Sequence, residues 1–402
     1  MRLFLVTLAV LAAACSAQPS EQALAATMSG APVGFGRDVA IRCTEASCTC
    51  EVTNLDDDPR RPPPGSLRAC AERQGPLRIV FAARGTIDLA VPLRVGDDTA
   101  IDGRPRAIGE APVVIAAQGR LGILIENVRN VIVRDLAFTS ERAIAAGGDA
   151  TCSDPERPAD TLGCGVPLMI RGRSSNVWID HNLFERCGGK CVAVWTGGRR
   201  GDAHDDGGDL VTLSHNIFRD SYFGVLVGAA RDLASEELPE HMRVTMYGNL
   251  FDNIFRRSPR AASFSQIHFF NNVVANWGRP GAGCSGRNFG WASSATGGGQ
   301  LLLENNVYIA RNSPDACRLA AEVSDYDPDD AESRGEGLVR ASGNRLLNRA
   351  EITQNEAESV FDPRDRTNAD TAYSYDLLDV GAVEAHVRSN AGPRDAPAAN
   401  DN

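Results

Sequence analysis

Six stretches of the chain share one pattern of apolar and polar positions: "NVIVRDLAF" at 130, "NVWIDHNLF" at 176, "LVTLSHNIF" at 210, "RVTMYGNLF" at 243, "QIHFFNNVV" at 266 and "QLLLENNVY" at 300. Each alternates, as a half-buried strand does, then passes through a polar turn to a large apolar residue. Asn182, Asn216, Asn249, Asn272 and Asn306 fall at matching places, 34, 33, 23 and 34 residues apart. One such unit cannot bury its apolar face alone. Stacked units can, and aligned asparagines can hydrogen-bond up the stack inside a turn. The pattern predicts an all-β fold, a single-stranded parallel β-helix with about three short strands per coil. A sandwich or propeller fits less well, because Asn-Gly hairpin signals are absent and the period is too irregular for blades.

An open solenoid needs a lid over its first coil. "GSLRACAERQG", residues 65 to 75, supplies one as a short N-terminal capping helix, with Ser66 as N-cap and Gly75 beyond the end. The β-helix is expected over residues 32–350. A C-terminal extension, 351–402, then loses the pattern, and its last stretch, "SNAGPRDAPAANDN", is expected to be disordered. At the other end, "MRLFLVTLAVLAAAC" reads as a signal peptide, residues 1–17, too short to span a bilayer stably. Lipoprotein processing at Cys15 and ordinary cleavage after Ala17 are both open. Either leaves ten cysteines, an even number suited to disulfides in an oxidising compartment, with pairing unspecified.

A composition of 43% hydrophobic and 23% charged residues is that of a globular chain. Its net charge of −11 argues against a nucleic-acid partner and offers an acidic polymer no global attraction. An anionic ligand would need a local cationic cluster, and "RRSPR" at 256 to 260 is one. The chain holds a single lysine, Lys190.

"GFGRDV" at 34, the capping segment through "IVFAARGTIDL", "NVIVRDLAF", "SNVWIDHNLF" and "GNLFDNIFRRSPR" through "HFFNN" resemble, in order, the pectate and pectin lyases of polysaccharide lyase family 1. The resemblance covers roughly residues 32 to 310. It implies a right-handed parallel β-helix whose loops wall a groove for a galacturonan chain, cleaved by β-elimination. The first arginine of the family's Arg-x-Pro-x-x-Arg motif, held to be the base that removes the C5 proton, falls on Arg257. The second falls on Ala262 and is missing, with Arg260 or Arg256 left to bind substrate. The substrate lysine of pectate lyases falls on Phe223, and the calcium ligands fall on Pro167 and near Gly189 and Ala193, none of them acidic. A calcium site needs several oxygen ligands, so no metal cofactor is expected. Lys190 stands near the place where pectin lyases put a basic side chain, and Asp149 is the available substitute for the aspartate they retain. Asp180 and His181 of "WIDH" are expected to satisfy a buried network.

Elimination across C4 and C5 of a uronate builds negative charge beside an ionised carboxylate, and fixed cations or a methyl ester can offset it. Lys190, Arg257, Arg260 and Arg199 or Arg200 are available. An arginine base must lose a proton from a group whose pKa ordinarily exceeds about 12, and neighbouring cations favour that loss. With the resemblance, these residues imply an exported, monomeric polysaccharide lyase with a calcium-free, pectin-lyase-like site. The contrasting expectation is a catalytically inactive β-helix lipoprotein that binds oligosaccharide. "GDAHDDGGD" at 201 is read as a solvated turn.

Overall fold

The computed structural model describes residues 31–43, 46–73, 75–107, 109–140, 165–196, 207–229, 242–278, 291–313, 317–324, 336–355 and 357–394. Within the unit Pro32–Asn402 the strands are parallel and stack coil on coil, forming a right-handed parallel β-helix. Ten strands, from Thr49–Val52 to Leu338–Ser342, make one sheet. Seventeen more form two further ladders, which share the 13-residue strand Ile217–Ala229.

The repeated sequence pattern is the corner between the first sheet and its neighbour. A strand such as Ser175–Asp180 ends, one residue takes left-handed backbone, an asparagine follows, and the next strand starts. Asp135, His181, His215, Gly248, Asn271, Asn305 and Gly343 hold that left-handed position, with φ between 49° and 66°. Most are the polar or glycine residues that tolerate it best. Each asparagine caps its neighbour: Asn182 donates to Asn216 Oδ1 from backbone N at 3.0 Å and from Nδ2 at 3.1 Å, and the arrangement repeats through Asn249, Asn272 and Asn306. It continues to Asn344, which the sequence pattern did not reveal. Inside the coils Phe138, Phe184, Phe218 and Phe251 stack with ring centroids 4.8, 5.0 and 4.5 Å apart, all fully buried.

The capping helix spans only Leu67–Ala71. Ser66 Oγ accepts from Ala69 N at 3.2 Å, and a Cys50–Cys70 disulfide ties the helix to the first coil. Cys43–Cys48 and Cys187–Cys191 are also bridged, and Cys317 is disulfide-bonded. Cys152, Cys164 and Cys284 lie outside the described residues, as does the signal segment.

The C-terminal extension departs from expectation. It runs back along the outer face of the ten-stranded sheet, against the direction of stacking. Phe361 N donates to Gln300, Tyr373 bonds His268 and Thr245, Leu378 N donates to Asn271, and Gly392 N donates to the His215 carbonyl. The helix Val380–Asn390 buries Val383 and Val387 against the stack. Residues 389–394, expected to be disordered, are therefore ordered: Arg394 donates from N and Nε to the buried Asp135 carboxylate at 3.0 and 2.9 Å. Residues 395–402 are outside the described set.

Candidate active site

The sequence-predicted cations meet on the third ladder of strands. In register across three successive coils stand Lys190, Phe223 and Arg256. Lys190 opens the strand Lys190–Thr196 inside the short loop closed by Cys187–Cys191; it is nearly buried, and its Nζ is 5.6 Å from the centre of the Trp195 ring. Phe223 lies outside the main core. Its ring carries the Arg257 guanidinium at 3.9 Å and that of Arg256 at 5.0 Å, and Arg256 also lies within 6 Å of Tyr222 and Phe255. Cations at these distances from aromatic faces are held by the ring quadrupole and by exclusion of water. Phe223, where the resemblance places a lysine, is thus an aromatic platform for two arginines.

Arg257 is held by its backbone. It has φ of 69°, and a cis Ser258–Pro259 peptide follows. Its carbonyl accepts from Val225 N at 2.7 Å, Ser258 N donates to the Ala292 carbonyl at 2.6 Å, and the Pro259 carbonyl accepts from Ser294 N at 3.0 Å. Gly224 makes this approach possible, since a Cβ there would lie 2.5 Å from the Arg257 carbonyl oxygen. "YFG" and "RRSPR" are therefore two halves of one local structure. Arg257 is partly exposed, whereas Arg256 and Arg260 are nearly buried.

On the strand Arg260–Ala262, Ala261 packs into the core, so Arg260 and Ala262 face outward. Arg260 lines up with Leu226 below and Ser294 above, and Ala262 faces Gly228 where the motif would place its second arginine. Asp149, Arg199 and Arg200 lie outside the described residues. Asp209, last of the acidic 201–209 stretch, is paired with Arg243 at 3.0 Å. Trp277 is fully buried, while Trp195 meets Lys190 at the cationic cluster. Trp195, Ser294 and Glu322 were not among the predicted site residues. Their signal is register, which is hidden until the coils are aligned.

Asp180, His181 and His215 bring ligand-type atoms within 4.8 Å, close enough to hold a metal ion by distance. Their chemistry does not suit calcium. Asp180 Oδ2 accepts from His181 Nδ1 at 2.7 Å, its Oδ1 accepts from Ser214 at 2.6 Å, and the Arg394 guanidinium stands 3.7 Å away. Calcium takes oxygen ligands, and this cluster offers two imidazoles and one engaged carboxylate. Burial opposes ionisation of Asp180, but hydrogen bonds from His181 and His215 outweigh it and hold the carboxyl below the usual range. The reading of "WIDH" as buried scaffold agrees with this network. Pro167, Gly189 and Ala193, where the motif places calcium ligands, carry no side-chain oxygen.

Parallel coils bearing a guanidinium pair on an aromatic ring define a parallel β-helix protein with a cationic outer face. A pectate lyase family model matches residues 105–395, and the chain belongs to that family. "Pectate lyase 1" of Cryptomeria japonica is 32% identical over 234 residues, 56% of this chain and 55% of that protein. "Pectate lyase plyB" of Emericella nidulans is 28% identical over 283 residues, 70% of this chain and 68% of that protein. The first relatives are matched over about half of their own length. Among solved structures, jun a 1, the major allergen from cedar pollen, superposes with a TM-score of 0.65 at 21% identity, covering 90% of this chain and 92% of that one.

Proposed function

We propose that this protein is an exported polysaccharide lyase that cleaves pectate- or pectin-type uronan by β-elimination, with Arg257 as the base and without calcium. The observation that carries the reading is the Arg257 guanidinium, partly exposed and seated 3.9 Å over Phe223 on a backbone fixed by three hydrogen bonds. In the neutral form Arg257 takes the C5 proton. The C5–H electron pair becomes the C4–C5 double bond, the C4–O bond breaks, and the departing oxygen takes up a proton. Arg256 close by favours loss of the Arg257 proton and, with Lys190 and Arg260, offsets charge gathering on the sugar carboxyl. Asp149 and a lipid on Cys15 belong to this reading as expectations on segments outside the described residues.

The test is incubation of the full chain with pectate and with methyl-esterified pectin, read as ultraviolet absorbance of unsaturated ends, with and without chelator. Product unaffected by chelator and greatest on methylated pectin is the expected result; chelator sensitivity overturns calcium independence. A second reading, an oligosaccharide-binding surface protein without catalysis, is favoured by Ala262 and Phe223 at positions where the family has an arginine and a lysine. Absence of product on every uronan, with binding retained, would establish it.

A further inference from the structure

Beyond Arg260 the outward column continues across two more coils as Ser294 and Glu322. Alternation fixes this direction: Ala261, Ala295 and Ala321 belong to the core, and the residues paired with Arg260 on these strands point the other way. Parallel strands are about 4.8 Å apart, so Glu322 stands about 10 Å from the Arg260 level. The strip has unmet hydrogen bonding. Ser294 Oγ and Glu322 Oε2 are shut off from solvent with no hydrogen-bond partner, as is Thr296 Oγ1 in the adjoining outward column. Ser294 and Thr296 are buried, while Glu322 keeps part of its surface open. Buried polar groups seldom go unpaired, and a ligand is one way of pairing them.

We infer that Glu322 and Ser294 form a further subsite, two coils past Arg260, that hydrogen-bonds the carboxyl group of a neighbouring sugar unit on the bound chain. The inference rests on the polyuronate reading above. Desolvation pushes the Glu322 carboxyl up to about 7, so near neutrality about half of it is protonated, and that form donates to a uronate, or to the carbonyl of its ester. The charged groups around it leave that direction intact. Arg260 is two coils away, Glu351 pairs with Leu319 at the strand's start, Arg318 precedes that strand, and Glu336 bridges to Thr296. Once ionised, Glu322 repels a uronate. Affinity for unesterified chain therefore falls as pH rises through about 7.

Glu322→Gln keeps the shape and a donor but cannot ionise, and Ser294→Ala removes the hydroxyl. The experiment measures the Kd of hexagalacturonate by calorimetry and the KM for polygalacturonate from pH 5.5 to 8.5, with thermal melts showing that each variant is folded. For the wild type, Kd and KM are expected to rise about tenfold between pH 6 and 8, consistent with loss of one charge-assisted hydrogen bond. For Glu322→Gln both stay flat at the low-pH value, and Ser294→Ala raises them at every pH. A Glu322→Gln profile that tracks the wild type overturns the subsite while leaving a turning-over lyase intact. Binding without turnover, with the pH dependence absent in Glu322→Gln, sustains the subsite and overturns catalysis. Failure to bind any uronan overturns both.

Discussion

At residue 257 the backbone does much of the work that a side-chain network does elsewhere. Left-handed φ, the 2.7 Å bond from Val225 and the space left by Gly224 fix where its Cβ points, and Phe223 takes up one face of the guanidinium. Lysine keeps charge and reach but not the planar group that stacks on the ring. Arg257→Lys is expected to lower kcat by about 100-fold or more, the usual cost of losing a positioned base or charge stabiliser, with melting temperature little changed. A smaller loss than tenfold in steady-state assays would remove Arg257 from the chemistry. Asn249 makes the opposite case. Its amide joins Asn216 to Asn272 and caps the Leu213 carbonyl, wholly buried, so Asn249→Ala strands several polar groups at once. Denaturant melts are expected to show a loss of about 2–4 kcal/mol. The asparagine spacing was readable in the sequence because each one sits beside strong alternation. Asn344 escaped because its strand, Leu338–Ser342, is mostly polar toward its end.

At the scale of elements, two attachments, one local and one long-range, hold parts that the repeating pattern does not predict. One is the loop closed by Cys187–Cys191, which presents Lys190 at the start of its strand in register with Phe223. The other is the returning C-terminal segment, clamped at Glu304. There His268 Nε2 donates at 3.0 Å, Tyr375 at 2.6 Å and Arg364 at 2.8 Å, while His268 Nδ1 accepts from Tyr373 at 2.6 Å. Burial would raise the Glu304 pKa, but these bonds outweigh it and hold the carboxyl at about 2; burial keeps His268 neutral by lowering its pKa. Both folded values lie below the unfolded ones, near 4.5 and 6.5, so the native state binds fewer protons than the unfolded chain in acid. Their stabilisation is complete above about pH 6.5 and falls as pH drops toward 2. Hydrogen-exchange protection factors, corrected for the intrinsic rate, in the Val380–Asn390 helix and the residues before it are expected to fall between pH 6 and 4, ahead of the asparagine corners. His268→Gln, which has no such titration, is expected to flatten the upper part of that change; uniform acid loosening of all coils would contradict it. Sequence reading saw only an acidic, patternless extension because these partners lie 36 to 105 residues apart.

For the whole molecule, legibility divides along the same line. Coils whose contacts repeat at a near-constant offset were visible as a pattern, and so was the capping helix, whose Ser66 signal is local. Which cations share a face was visible only through the family motif, and Ser294 and Glu322 not at all, because pairing across coils depends on loop lengths that vary. Charge adds a last consequence. The chain carries −11 overall, yet Lys190, Arg256, Arg257 and Arg260 gather beside the strand Ile217–Ala229, so a polyanion meets repulsion at a distance and attraction at contact. The Debye length is about 30 Å at 0.01 M salt, about 10 Å at 0.1 M and about 3 Å at 1 M. The first tenfold increase screens the distant repulsion and leaves the contact pairs largely intact; the second reaches the contact pairs. The KM for polygalacturonate is therefore expected to fall between 0.01 and 0.1 M sodium chloride and to rise toward 1 M, whereas that for fully methylated pectin changes little. Arg260→Gln should weaken the rise at high salt and leave the initial fall in place. A KM that climbs steadily from the lowest salt would mean that attraction already prevails at long range, and that the cationic ladder, rather than the net charge, governs the approach of the substrate.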